Sequence, residues 1–233
     1  MIISHRHRFI FVKTRKTAGT SIERFLARHL GPEDVIVGGD IRNDRGRWNP
    51  LAELAHHPDP SNVKLTLKQW RAGDRAYQHM PAWRIRDRVG RSVWDGYYTF
   101  CFERDPWDKL VSFYWWRTRN LAERPDFETW VRTTPNLSAW PLYTVRNRVA
   151  VDFIGRYEDL ERDLGTVLAR IGLDVAVELP RDKSGYRRPA DPGFTPSLDD
   201  WVRHEFRNEI ALLGYDRHPD GHPDRHDEVS DLT

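Results

Sequence analysis

The 233-residue sequence predicts an α/β fold of three layers, a mainly parallel sheet with helices on both faces. Two features point there. Short apolar runs of strand length alternate with segments of helical spacing, and the first strand–loop–helix passage carries glycine, hydroxyls and lysines in its loop. Residues 1–215 are expected to form a single domain, with 216–233 as a flexible C-terminal tail.

Arg8–Lys13 contains the run Phe-Ile-Phe-Val and reads as a buried strand. Thr14–Ser21 is a polar turn, and Ser21–Leu30 places Ile22, Phe25, Leu26 and Leu30 on one helical face. Gly38–Asn62 is rich in Gly, Asn, Asp and Pro and reads as a long irregular excursion. A short helix is expected around Pro81–Val89, a strand over Tyr97–Glu103, and a helix over Pro106–Arg119 with proline at its first position. Val151–Arg156 reads as a strand, Glu158–Ile171 as a helix, and Trp201–Leu213 as a final amphipathic helix stopped by Gly214.

Composition narrows the function. The net charge is +2 with 37 basic and 35 acidic residues, a balance that argues against a general nucleic-acid binder. One cysteine, Cys101, excludes an internal disulfide framework and reads as an inert core residue. The apolar runs are strand-sized, well below the roughly 18 residues of a spanning helix, and the start lacks a signal-peptide core. A soluble, cytoplasmic protein is expected. The His/Asp-rich tail from His218 is broken by prolines and reads as solvated, so no metal site is expected.

Only six basic residues are lysines, and two of them, Lys13 and Lys16, bound the first loop. Lys13-Thr14-Arg15-Lys16-Thr17-Ala18-Gly19-Thr20-Ser21 has the makings of a P-loop-like anion site. A helix N-terminus presents unpaired N–H groups and a positive dipole end. Gly19 admits close backbone approach, Thr20 and Ser21 add hydroxyls, and Lys16 supplies charge. It is not a Walker A loop, because the lysine precedes the glycine. An ordinary capped helix start is the alternative.

A second segment runs from Phe100 to Tyr114. Arg104 ends a strand, Asp105 and Pro106 open a helix, and Ser112 lies eight residues after the arginine, about two turns on. A guanidinium fork plus a hydroxyl suits a terminal phosphate monoester. An arginine–aspartate ion pair with Ser112 simply buried is the alternative.

Taken in this order, the two segments resemble PAPS-dependent sulfotransferases, closest to the carbohydrate-type, family 2-like branch. The first resembles the loop for the 5′-phosphosulfate of 3′-phosphoadenosine 5′-phosphosulfate (PAPS), with Arg15 in place of a common proline. The second resembles the motif for the 3′-phosphate. Tyr157, in Tyr157-Glu158-Asp159, resembles the family's adenine contact, and Lys183 to Arg187 resembles its late basic loop, with Lys183 and Arg187 as further contacts. The resemblance implies PAPS as donor, its product PAP, and no metal.

It also implies roles. Lys16 neutralises charge on the departing phosphate oxygen, and His79 is the base that takes the acceptor's proton, with Glu103 in reserve. The acceptor is a carbohydrate or other small-molecule hydroxyl, with one or two of Trp83, Trp94, Trp107, Trp115, Trp116 and Trp140 available to stack on it. The excursion at Gly38–Asn62 and the Arg119–Leu142 region are expected to shape its pocket. A P-loop kinase and a non-catalytic nucleotide-binding module are the competing readings.

Overall fold

The computed structural model describes residues 1–37, 78–180 and 192–216. The expected excursion at Gly38–Asn62 and the tail beyond Asp216 lie outside them. The chain divides into two compact units, one of Met1–Glu103 with Ala139–Arg188, the other of Arg104–Ser138 with Pro189–Thr233.

The first unit is built on a five-stranded sheet. Its strands are β1 (Ile2–Ser4), β2 (Phe9–Phe11), β3 (Val35–Ile36), β4 (Tyr98–Glu103) and, after a small hairpin described below, β7 (Phe153–Arg156), ordered β3-β1-β2-β4-β7. β2, β4 and β7 pair in parallel, whereas β1 pairs antiparallel with both β2 and β3. The sheet is therefore mixed, with a parallel centre and one antiparallel edge. The tight return from Ser4 to Phe9 accounts for that edge. Arg8 adopts φ 54°, and the His7 amide donates to Ser4 Oγ at 3.1 Å. Asp34 fastens β3 beside it by accepting from Ser4 Oγ at 2.8 Å and from the His5 amide at 2.7 Å.

Strand alternation sorts the side chains into two layers. Phe9, Phe11, Phe100 and Phe102 point to one face, where α1 (Gly19–Ala27) and α7 (Leu160–Arg170) cover them through Ile22, Phe25, Leu26, Leu164, Val167 and Leu168. Ile10, Val12 and Cys101 point to the other. There they meet Ile85 and Val89 of α2 (Ala82–Val89), Trp94 of α3 (Arg91–Gly96), and Leu142 and Tyr143 of α6 (Trp140–Tyr143). Cys101 is fully buried, in keeping with the core role read for it. Gly155 faces Phe102 across the β4–β7 ladder, where a Cβ would lie 2.4 Å from the ring, so glycine is the residue that fits. The hairpin β5 (Thr144–Val145) and β6 (Arg148–Val149) turns through Arg146 and Asn147, φ 51° and 60°, the left-handed pair of a type I′ turn.

The second unit is helical: α4 (Pro106–Thr118), α5 (Phe127–Thr133), α8 (Pro196–Glu205) and α9 (Arg207–Leu213). Trp107, Leu110, Phe113, Val131, Leu198, Val202 and Phe206 form its core. The single C-terminal helix expected over Trp201–Leu213 is two helices. The first starts earlier, where Thr195 caps and Pro196 occupies the first turn. The break falls at Phe206, which is fully buried and takes ψ 18°. Gly214 ends α9 at φ 65°, as the sequence requires. Among the described residues no helix is long and apolar enough to cross a membrane.

Candidate active site

At the carboxyl end of the parallel strands, the first unit assembles a loop, an imidazole and a tyrosine. Ligands of open α/β sheets bind at this end. The loop from Lys13 to Ala18 leaves β2 and enters α1 at Gly19. Lys16 and Ala18 both hold left-handed backbone, φ 64° and 56°. Non-glycine residues adopt that conformation at a cost on the order of 1–3 kcal/mol each, so the surrounding contacts must impose it.

Those contacts are identifiable. Thr14 Oγ1 donates to the Phe102 carbonyl of β4 and lies 2.8 Å from Thr17 Oγ1. Thr17 is fully buried, so its hydroxyl faces inward to Thr14. Ala18 caps α1 without a side-chain hydrogen bond, and the first turn carries no acid. The helix start thus offers N–H groups and an uncompensated positive dipole end, with Arg15, Lys16, Thr20 and Ser21 at the partly exposed rim. This set of donors fits an anionic group.

Lys13 and Gly19 occupy places the sequence did not suggest. Lys13 is 3% exposed, its Nζ paired with Glu23 of α1 and 3.4 Å from Thr20 Oγ1. Its stem crosses Gly19, where a Cβ would lie 2.9 Å from both Cγ and Cε. Gly19 therefore makes room for a lysine stem as well as for any ligand. Glu23 is a site residue that the sequence reading passed over. The signal was present, because an acid between Ile22 and Leu26 lies on the apolar face of α1.

His79 is docked on this loop. Its Nδ1 lies 3.0 Å from the Lys13 carbonyl oxygen, and because a carbonyl can only accept, Nδ1 carries the proton. Nε2 then holds the lone pair. Burial, with Arg15 and Lys13 adding positive charge nearby, pushes the His79 pKa down to about 4. The ring is neutral at physiological pH. Glu103, named in reserve, is fully buried at the end of β4.

Tyr157 follows β7 directly. Its amide donates to the Glu103 carbonyl at 2.7 Å, and its side chain is half-buried. Loop, histidine and tyrosine are thereby tied to β2, β4 and β7 of one sheet.

In the second unit, Arg104 is 5% exposed and meets Asp108 through Nε at 2.6 Å and Nη2 at 2.5 Å. The Asp105 carboxylate accepts from the Asp108 amide at 2.9 Å, and Pro106 starts α4. The arginine–aspartate pair is thus present, and it holds the guanidinium in one orientation. Ser112 lies on α4 and is half-buried. Lys183 and Arg187 lie outside the described residues.

The six tryptophans separate by exposure. Trp94 and Trp107 are buried in their cores, whereas Trp83 on α2 is 46% exposed and Trp116 on α4 is 42% exposed.

A sequence model of the Sulfotransferase family matches residues 1–208. An uncharacterized protein of Archaeoglobus fulgidus is 44% identical over 122 residues, 47% of this chain and 98% of that protein. No solved structure matches. With a match over residues 1–208 of 233, the chain belongs to the sulfotransferase family.

Proposed function

We propose that the protein transfers the sulfuryl group of PAPS to an acceptor hydroxyl, with residues 1–215 acting as one catalytic domain. The observation that carries the reading is the hydrogen bond from His79 Nδ1–H to the backbone of the anion loop. It joins a base with an available Nε2 lone pair to a cradle for the 5′-phosphosulfate.

In this reading the amides at the start of α1, with Arg15, Thr17, Ala18, Gly19, Thr20 and Ser21, hold the donor's 5′ side. Arg104 and Ser112 take the 3′-phosphate, Tyr157 lies against the adenine, and Lys183 and Arg187 belong to the late basic loop. Lys13 supports the cradle from within. His79 Nε2 takes the proton from the acceptor hydroxyl as its oxygen bonds to sulfur. The bond from sulfur to the bridging oxygen breaks, and Lys16 neutralises the charge left on the phosphate. The chemistry is mostly positioning and charge stabilisation, which needs no metal among its parts.

The acceptor is read as a carbohydrate or another small-molecule hydroxyl. Trp83 supports this, since an exposed indole four residues after His79 offers a face for a sugar ring or an aromatic acceptor. The reading is tested by incubating the protein with PAPS carrying radioactive sulfur and a panel of glycans, glycolipids and phenols. Label should enter an acceptor with the wild type and fail to do so with His79→Ala. Transfer of the γ-phosphate of ATP instead would overturn it in favour of a kinase.

A further inference from the structure

Glu23 stands out on α1. It is 1% exposed, on the face that packs against the sheet, and a carboxylate at such depth is costly unless paired. One of its oxygens accepts from Lys13 Nζ and the other from the Met1 amino group at 2.5 Å. Lys13 is in turn held at three points. Glu23 fixes its ammonium, Gly19 leaves a slot for its methylene stem, and its carbonyl accepts from His79.

We propose that Glu23 is a positioning residue for sulfuryl transfer, acting through Lys13 to fix the donor loop and the His79 tautomer together. The inference rests on the donor-loop and base assignments given above. A lysine stem has several rotatable bonds, and anchoring its tip inside α1 keeps it lying across Gly19. That path sets where the Lys13 carbonyl points. The carbonyl decides which imidazole nitrogen carries the proton, and so whether Nε2 keeps a lone pair. The left-handed residues Lys16 and Ala18 follow Lys13 by three and five positions, so loss of the anchor also relaxes the anion cradle.

The test compares wild type, E23Q, K13M and the double variant K13M/E23Q. Nitrogen NMR of the imidazoles, with the His79 signals assigned through H79N, reads the tautomer. Calorimetric titration with PAP reads the cradle. Wild type should show the Nδ1–H form. Both single variants should show a mixture of tautomers, with PAP binding weaker by about 10- to 100-fold.

The double variant separates positioning from simple support. It removes the Lys13–Glu23 pair as a whole and leaves only the Met1 amino group without its carboxylate, so it should be more stable than E23Q, yet it should keep the mixed tautomers. Retention of the Nδ1–H form in E23Q and K13M would overturn the proposal, as would its return in the double variant together with stability. Should E23Q fail to fold, K13M and the double variant decide on the same criterion. Should wild type bind no PAP, the donor assignment falls, while the tautomer comparison still judges the link from Glu23 to His79.

Discussion

The loop that leaves β2 and the segment that begins at Arg104 carry the two sets of residues proposed to bind the donor's phosphates, yet they are assembled differently. The loop is fixed by partners far away in the chain. Thr14 reaches Phe102, Lys13 reaches Glu23, and His79 reaches back 66 residues to Lys13. The Arg104 segment is fixed by its neighbours: Asp105 accepts from the Asp108 amide, and Asp108 holds Arg104 across a single helical turn. A cluster made of remote contacts moves as a unit when one member is lost. A locally capped helix start keeps most of its shape.

The contrast predicts a ladder of effects. The largest belong to the loop. His79→Ala should lower kcat by about 10²–10⁴-fold, through loss of the base that takes the acceptor's proton, and weaken PAP binding by a smaller factor, through loss of the contact to the Lys13 carbonyl. Lys16→Ala should lower kcat by about 10²–10³-fold, a loss of charge stabilisation in the transition state. A His79→Ala variant with normal turnover would remove the base from the account.

In the Arg104 segment a smaller and purely binding effect is expected. Arg104→Lys keeps the charge but loses the fork, so PAP should bind weaker by roughly 1.5–3 kcal/mol, with the melting temperature nearly unchanged. A large drop in stability would instead make Arg104 a structural member of its unit.

Below these stands Gly155→Ala, which lies in neither segment. The added methyl would collide with the Phe102 ring, and the expected cost is about 1–3 kcal/mol of stability. Phe102 also supplies the carbonyl that Thr14 uses, so any change in PAP affinity in this variant measures how firmly the loop depends on β4.

The last effect is a pH dependence, the smallest at neutral pH and growing only as the solution is acidified. His79 titrates near 4 in the folded protein against an ordinary value of 6.5, so between those values the unfolded chain binds the extra proton. Its contribution to stability is complete above 6.5 and is lost as pH falls toward 4, with a slope of at most about 1.4 kcal/mol per pH unit. Urea melts of wild type and His79→Asn over this range should differ in slope. Parallel curves would mean the imidazole is not buried against the loop.

The same contrast explains what the sequence disclosed. Signals carried within a few residues were legible: the Asp105–Pro106 helix start, the Gly214 stop, and the glycine- and lysine-bearing loop after a buried strand. The helix over Ala82–Val89 and the parallel strand pair β4–β7 also follow from apolar spacing. The antiparallel edge was not legible, because it depends on Arg8 taking left-handed backbone, a conformation that no glycine or asparagine announces. The break at Phe206 is likewise set by how one ring packs into a core. At the site, residue types and order were readable, whereas the Lys13–Glu23 pair and the tautomer of His79 arise only when residues 10 and 66 positions apart are brought together.

The central claim is that this chain binds a sulfuryl donor through these residues, and metal-free calorimetric titration with PAP tests it most directly. The account predicts binding on the order of 1–10 μM, about −7 to −8 kcal/mol, lost in Lys16→Ala/Arg104→Ala and far weaker for ATP. No binding of PAP, or a preference for ATP that requires Mg²⁺, would contradict it.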